Sequence, residues 1–266
     1  MQLSIVVSTQ ATGFSALAYQ GSLKPNLRKL KSFGYTGVEL AVRDPALLDL
    51  PSLEDWLSDN GLSVTAIGTG QAFGEDGLSF TNKDQNIREK AVNRIKSQIH
   101  LAKQFGAIVI IGLIRGNPDQ DVAGEIADRW FLEAMQECAD VDKAVKLAIE
   151  PCNRYEAQMI NTAQEGLDFI RALDRDNVGL LLDTFHMNIE EVSIYNSIKA
   201  AGRKLFYVHI ADSNRQFPGA GHLDFEKIFN TLKQIRYQGT VSAEILPYPD
   251  PDTAAKRVID NIKPLM

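Results

Sequence analysis

Cysteine is nearly missing from the chain. Cys138 and Cys152 are the only two among 266 residues, too few for a disulfide framework, and neither stands in the CxxC or Cys/His spacing of a structural zinc site. Positive charge is also in short supply: Lys and Arg total 28 against 34 Asp and Glu, a formal net charge of −6. Tight nucleic-acid binding needs a basic footprint, so nucleic acid is excluded as a partner. No uninterrupted apolar run reaches the ~18 residues that a membrane span requires, so no membrane partner is expected. The opening segment MQLSIVVSTQ has no basic n-region and too short an apolar run for a secretory signal. With free cysteines, that points to a cytoplasmic protein. No glycine-rich phosphate loop follows the first apolar run, as it would in a dinucleotide-binding fold.

Apolar residues are plentiful, at 44%, which rules out disorder. They fall into eight short, β-branched runs: 3–8, 38–42, 63–67, 107–112, 146–150, 179–183, 206–210 and 241–245. Most lack polar alternation, as parallel strands covered on both faces do. Helical stretches are expected between them at 25–33, 52–60, 84–105, 119–141, 162–173, 190–201, 224–235 and 252–262. Ser52 reads as the N-cap of the second, and Gly34, Gly61 and Gly106 as C-terminal stops. Strict strand–helix alternation predicts one closed (β/α)8 barrel over residues 1–266, with no linker or second domain. In such a barrel the active site lies at the carboxyl ends of the strands.

The last four strand ends carry Glu150, Asp183, His209 and Glu244, spaced 33, 26 and 35 residues apart, about one strand–helix unit each. A lone strand-end carboxylate is usually a helix cap or a loop salt bridge. Four ligand-type residues in register are different, because three clustered carboxylates repel unless a cation or protons neutralise them. Three carboxylates and one imidazole suit one divalent ion in an open site: Mn²⁺ first, with Mg²⁺ and Co²⁺ as alternatives. Arg43 follows the second strand and Arg115 the fourth. Each either binds a substrate carboxylate or forms a salt bridge, to Asp44 or Asp119. Gln71, in a glycine-rich segment after the third strand, is a further candidate for substrate binding. Glu39 is expected to pair with an Arg, His222 to cap the helix at Asp224, and Cys152, Trp56 and Trp130 to pack.

The segments EPCNRYE, LLLDTFHMN, VHIADSNR with the following PGAG, and VSAEI resemble the ketose 3-epimerase branch of the xylose-isomerase-like barrels. AVRDP, AIGTGQAF, DGLSF and IIGLIRG are similar to the 5-keto-L-gluconate epimerases within it. The resemblance implies that Glu150, Asp183, His209 and Glu244 are the metal ligands and that Glu150 and Glu244 are also the acid/base pair. It further implies that Glu156, His186 and Arg215 contact substrate oxygens or orient the glutamates. The expected activity is metal-dependent epimerisation at the carbon next to a ketone. The expected partner is a small keto-sugar or keto-sugar acid, with Arg43 and Arg115 favouring the acid; homo-oligomerisation is left open. A neutral ketose 3-epimerase and a hydroxypyruvate-type isomerase are the alternatives. An abasic-site endonuclease would need more histidine and a basic surface, and a non-catalytic sugar-binding barrel would not need both glutamates.

Overall fold

A computed structural model describes all 266 residues. Eight parallel strands close into a barrel in sequence order. They are β1 (Gln2–Ser8), β2 (Gly37–Ala41), β3 (Ser63–Gly68), β4 (Ile108–Ile111), β5 (Leu147–Ile149), β6 (Val178–Asp183), β7 (Leu205–Ile210) and β8 (Thr240–Ala243). The ring closes where Leu3 and Ile5 of β1 pair with Val241 and Ala243 of β8. Strands such as β2 and β6 are buried at every position, which is why their sequences carry no alternation. All eight apolar runs are strands, with ends shifted by one or two residues.

The helices are α1 (Leu23–Phe33), α2 (Leu50–Asn60), α3 (Gly70–Gly74), α4 (Gln85–Phe105) and α5 (Gly124–Ala139), followed by α6 (Ala163–Leu173), α7 (Thr184–Glu190), α8 (Ile194–Ala201), α9 (Phe225–Gln234) and α10 (Pro251–Ile262). Local chemistry sets their ends. Asp84 caps α4 by accepting from the Asn86 N–H, and Thr162 and Glu165 form a reciprocal capping box on α6. Gly106 ends α4 in the left-handed region at φ 64°, which a side chain would strain.

Several of the expected helix limits and caps are shifted. The N-cap of α2 is Asp49, which accepts from Ser52, because Pro51 fits the first turn and extends the helix back. The stretch 119–141 becomes helical only from Gly124. The expected helix 190–201 is broken: α7 stops at Glu190, and Ser193 restarts the chain as the cap of α8. Asp224, not His222, caps α9, and the exposed His222 donates its backbone N–H to Ser213.

Ser4, Thr65 and Tyr207 fill the bore in a hydrogen-bonded chain, with Ser4 Oγ 3.0 Å from Thr65 Oγ1 and Thr65 Oγ1 2.7 Å from Tyr207 OH. Ala66, Ile110, Ala148 and Leu181 pack around Tyr207. This plug closes the barrel beneath its carboxyl end. A larger apolar layer between strands and helices holds the outer wall. No helix is long and apolar enough to cross a membrane.

Candidate active site

Successive strand ends deliver the four expected ligand residues to one place. Glu150 follows β5, Asp183 ends β6, His209 lies within β7 and Glu244 follows β8. One donor atom from each lies within 4.8 Å of the others. His209 Nδ1 is 3.5 Å from Glu150 Oε1, 3.8 Å from Asp183 Oδ2 and 3.6 Å from Glu244 Oε2. His209 Nδ1 and Glu150 Oε1 are both buried and have no hydrogen-bond partner in the protein. Buried donors and acceptors are seldom left so. Two orphaned ligand atoms facing two more carboxylates are what a divalent cation would satisfy, and the all-oxygen-plus-imidazole set fits a hard or borderline ion.

Asp183 combines the commonplace role of a strand-end carboxylate with the functional one. Its Oδ1 accepts from the Phe185 N–H at 2.7 Å and so starts α7, leaving Oδ2 to face the centre. Arg215 holds this geometry from the loop after β7. It donates to Asp183 Oδ2 at 2.7 Å and to Glu244 Oε2, with its guanidinium 4.7 Å from the centre of the Phe185 ring. Its backbone takes a positive φ of 63°, a strained conformation held by bonds to Asp212 and Leu246.

Charge and burial compete here. Burial alone would raise the Glu244 pKa, but Arg215 and His209 hold it well below the ordinary carboxylate value. Burial would lower the pKa of Arg215, and Asp183 and Glu244 raise it instead. Burial also opposes charge on His209, and Glu39 and Glu244 outweigh it to raise that pKa.

Glu39 does not pair with an arginine. It is 2% exposed and its Oε2 lies 2.8 Å from His209 Nε2. That bond fixes the ring so that Nδ1 faces the ligand cluster, the usual arrangement behind a metal-binding histidine. Asn153 plays the same part for His186. Asn153 Oδ1 accepts from the Tyr155 N–H, so its Nδ2 must donate, and it reaches both Glu156 and His186 Nδ1 at 2.8 Å. The Asn153 backbone N–H also donates to Nδ1 at 3.3 Å. Nδ1 is therefore an acceptor, and Nε2 carries the ring proton toward Glu150, whose Oε1 is 3.8 Å away. Gly112 makes room for the carboxylate: a Cβ there would lie 2.7 Å from Glu150 Oε2.

Glu39, Glu150, Glu156, His186, His209, Arg215 and Glu244 line one cavity that opens to solvent. Cys152 is buried, as a packing residue would be, and it also lines the cavity beside Glu150 and His186. Gln71 also lines it, from α3 instead of a loop, and donates from Nε2 to Ser8 Oγ at 2.7 Å.

Of the candidate substrate-binding residues, Arg43 and Arg115 are the two that do not line the cavity. Arg43 Nε donates to Asp76 at 2.8 Å, and Arg94 bridges that same Asp76 to Asp44. Arg115 is fully buried and donates to the carbonyls of Gly112, Glu150, Met159 and Ile160 at 3.0, 2.6, 2.9 and 3.3 Å. It pins the loop after β4 to the loop after β5 and carries the backbone of Glu150.

A closed barrel with three carboxylates and an oriented imidazole at the carboxyl end of its strands has the makeup of an enzyme's site. The chain belongs to the xylose isomerase-like TIM barrel family, which it matches over residues 27–265, and falls in the ketose 3-epimerase branch. It is a carbohydrate epimerase. It is 33% identical to an L-ribulose 3-epimerase of Mesorhizobium japonicum over 235 residues, 87% of this chain and 78% of that protein. It is 41% identical to a D-psicose 3-epimerase of Enterocloster bolteae over 234 residues, 83% of this chain and 76% of that one. A crystal structure of the D-psicose 3-epimerase of Clostridium cellulolyticum with D-tagatose superposes with a TM-score of 0.85 at 25% identity. That match covers 100% of this chain and 99% of the other.

Proposed function

We propose that this chain is a divalent-cation-dependent 3-epimerase of neutral ketoses. The observation that carries the reading is the pair Glu150 and Glu244, which stand at the two ends of the ligand arc from β5 to β8 and line the same cavity. Sugars of the kinds named for its relatives, L-ribulose and D-psicose, are the substrate class.

The hydrogen on the carbon beside a ketone is acidic because its removal gives an enolate. Inversion needs a base on one face of that carbon and an acid on the other. Glu150 and Glu244 supply the two, one withdrawing the proton and the other returning one to the opposite face, with the roles exchanged in the reverse direction. Held by Glu150, Asp183, His209 and Glu244, a divalent cation would act as a Lewis acid on the ketone and its neighbouring oxygen. Arg215 keeps Glu244 ionised and ready to accept. The Nε2–H of His186 points a donor at the side of the cavity where Glu150 works, suited to a substrate oxygen gaining charge. Glu156, bonded to the amide that orients His186, is placed to meet a hydroxyl.

The expected preference for a keto-sugar acid rested on the likeness of four segments to the 5-keto-L-gluconate epimerases and, for the carboxylate contact, on Arg43 and Arg115. Arg43 is paired with Asp76 and Arg115 with four backbone carbonyls, so neither is free to meet a substrate carboxylate. The relatives' names are those of neutral sugars. The test is interconversion of ketose 3-epimers by the purified protein, before and after chelation. Turnover that is lost with the metal and restored by Mn²⁺, Mg²⁺ or Co²⁺ is expected. Full turnover by exhaustively metal-free protein contradicts the reading.

A further inference from the structure

The wall of the cavity across the barrel from β7 is built by the ends of β1 and β3 and by α3. Its hydroxyl protons are already given to the protein. Thr69 donates its hydroxyl proton to the Ile110 carbonyl at 2.6 Å, and Ser8 donates its own to the Gln10 carbonyl at 2.5 Å. Gln71 lies between them, 3% exposed, and its Nε2 donates to Ser8 Oγ. With the Ser8 proton committed to Gln10, Ser8 serves Gln71 as an acceptor, and that sets the orientation of the Gln71 amide. The Gln71 Oε1 is then left without a protein partner, yet it is not among the sealed, unpaired atoms of the interior. It opens on the cavity that Gln71 lines. Val6, Phe14 and Leu17 form the apolar wall beside it. Arg43 and Arg115, which follow the second and fourth strands, are bound elsewhere, and Arg215 is committed to Asp183 and Glu244.

We propose that Gln71 is a specificity-determining residue: its Oε1 accepts a hydrogen bond from a hydroxyl on the end of the substrate remote from the reacting carbons. It thereby selects a neutral polyol chain over one ending in a carboxylate. This rests on the ketose reading of the site. A hydroxyl brings a proton to Oε1. An ionised carboxylate brings only lone pairs and leaves Oε1 unpaired against an apolar wall. Leaving one such acceptor without its partner costs about 5- to 150-fold in kcat/KM.

The test measures kcat and KM for a neutral ketohexose, its 6-deoxy analogue and the corresponding 6-carboxylate, in wild type, Gln71→Met and Gln71→Glu. Wild type is expected to favour the hydroxylated sugar over both others by about 5- to 150-fold, with the difference in KM more than in kcat. Gln71→Met removes the discrimination against the 6-deoxy sugar. Gln71→Glu keeps an acceptor and widens the gap against the acid. If Gln71→Met does not fold, the comparison of the three sugars on wild type and Gln71→Glu still decides. A wild type that prefers the carboxylate overturns the assignment of Gln71. So does a folded Gln71→Met that discriminates as wild type does. A wild type that turns over none of the three overturns the ketose reading instead. The same three sugars, read by ligand-induced shifts in Tm, then test Gln71 without turnover.

Discussion

Replacing Glu39 should weaken the metal site without touching a single ligand. Glu39 and His209 are 2% and 1% exposed, and 2.8 Å separates Glu39 Oε2 from His209 Nε2. In that dry setting the carboxylate does two things. It selects the tautomer that leaves Nδ1 free for a cation, and it raises the basicity of the ring. Glu39→Gln keeps an acceptor and loses the charge. Glu39→Leu loses both and leaves an Nε2–H buried without a partner. Removing such an outer carboxylate typically costs 10- to 100-fold in metal affinity, or about 1.4–2.8 kcal/mol. Glu39→Gln is expected near the lower figure and Glu39→Leu near the upper. Metal Kd is measured by competition with a chromogenic chelator, at one pH for wild type and both variants. If both variants fold and bind the cation within twofold of wild type, Glu39 does not position the imidazole.

Three further outcomes follow from the same contacts. Arg115→Met removes four hydrogen bonds to carbonyls, two of them buried, and should cost about 3 kcal/mol or more of stability, read by denaturant unfolding. Its effect on kcat/KM should be the same for acid and neutral sugars; a loss confined to acids would return Arg115 to the substrate. Burial alone would raise the Asp76 pKa, but hydrogen bonds from Arg43 and Arg94 overcome it and hold it below the ordinary value. Its stabilising effect is therefore present above the unfolded carboxylate value of ~3.9 and is lost as pH falls below it toward the folded value. Asp76→Asn should lower Tm by roughly 1–3 °C at pH 7 and leave it unchanged at the acid end of that window; a difference that persists there removes the ion-pair explanation.

The strand ends were legible because a barrel repeats its unit. Once eight apolar runs alternate with helices, the residue ending each run must face the same mouth, and Glu150, Asp183, His209 and Glu244 follow. Direction was not legible. Arg43 and Arg115 do sit at strand ends, but a long side chain there can turn toward Asp76 or fold under a neighbouring loop as readily as toward substrate. Partnerships across the barrel were hidden for a related reason. Glu39 meets His209 at a separation of 170 residues, and Asn153 meets His186 at 33. Asn153 lay inside the quoted EPCNRYE segment, yet its role depends on which of its amide atoms is already bonded. The helix α7 escaped notice because Asp183, read as a ligand, is at the same time its cap.

The two-glutamate mechanism is tested most directly by solvent hydrogen at the inverted carbon. Wild type with saturating divalent cation is incubated with a ketose in deuterium oxide, and the 3-epimer formed is analysed for deuterium at C3. One deuterium per product molecule is expected, with epimerisation reduced by several orders of magnitude in both Glu150→Gln and Glu244→Gln, since the amide keeps the shape and cannot take the proton. A product free of solvent deuterium in wild type together with near-normal epimerisation by either variant would contradict it.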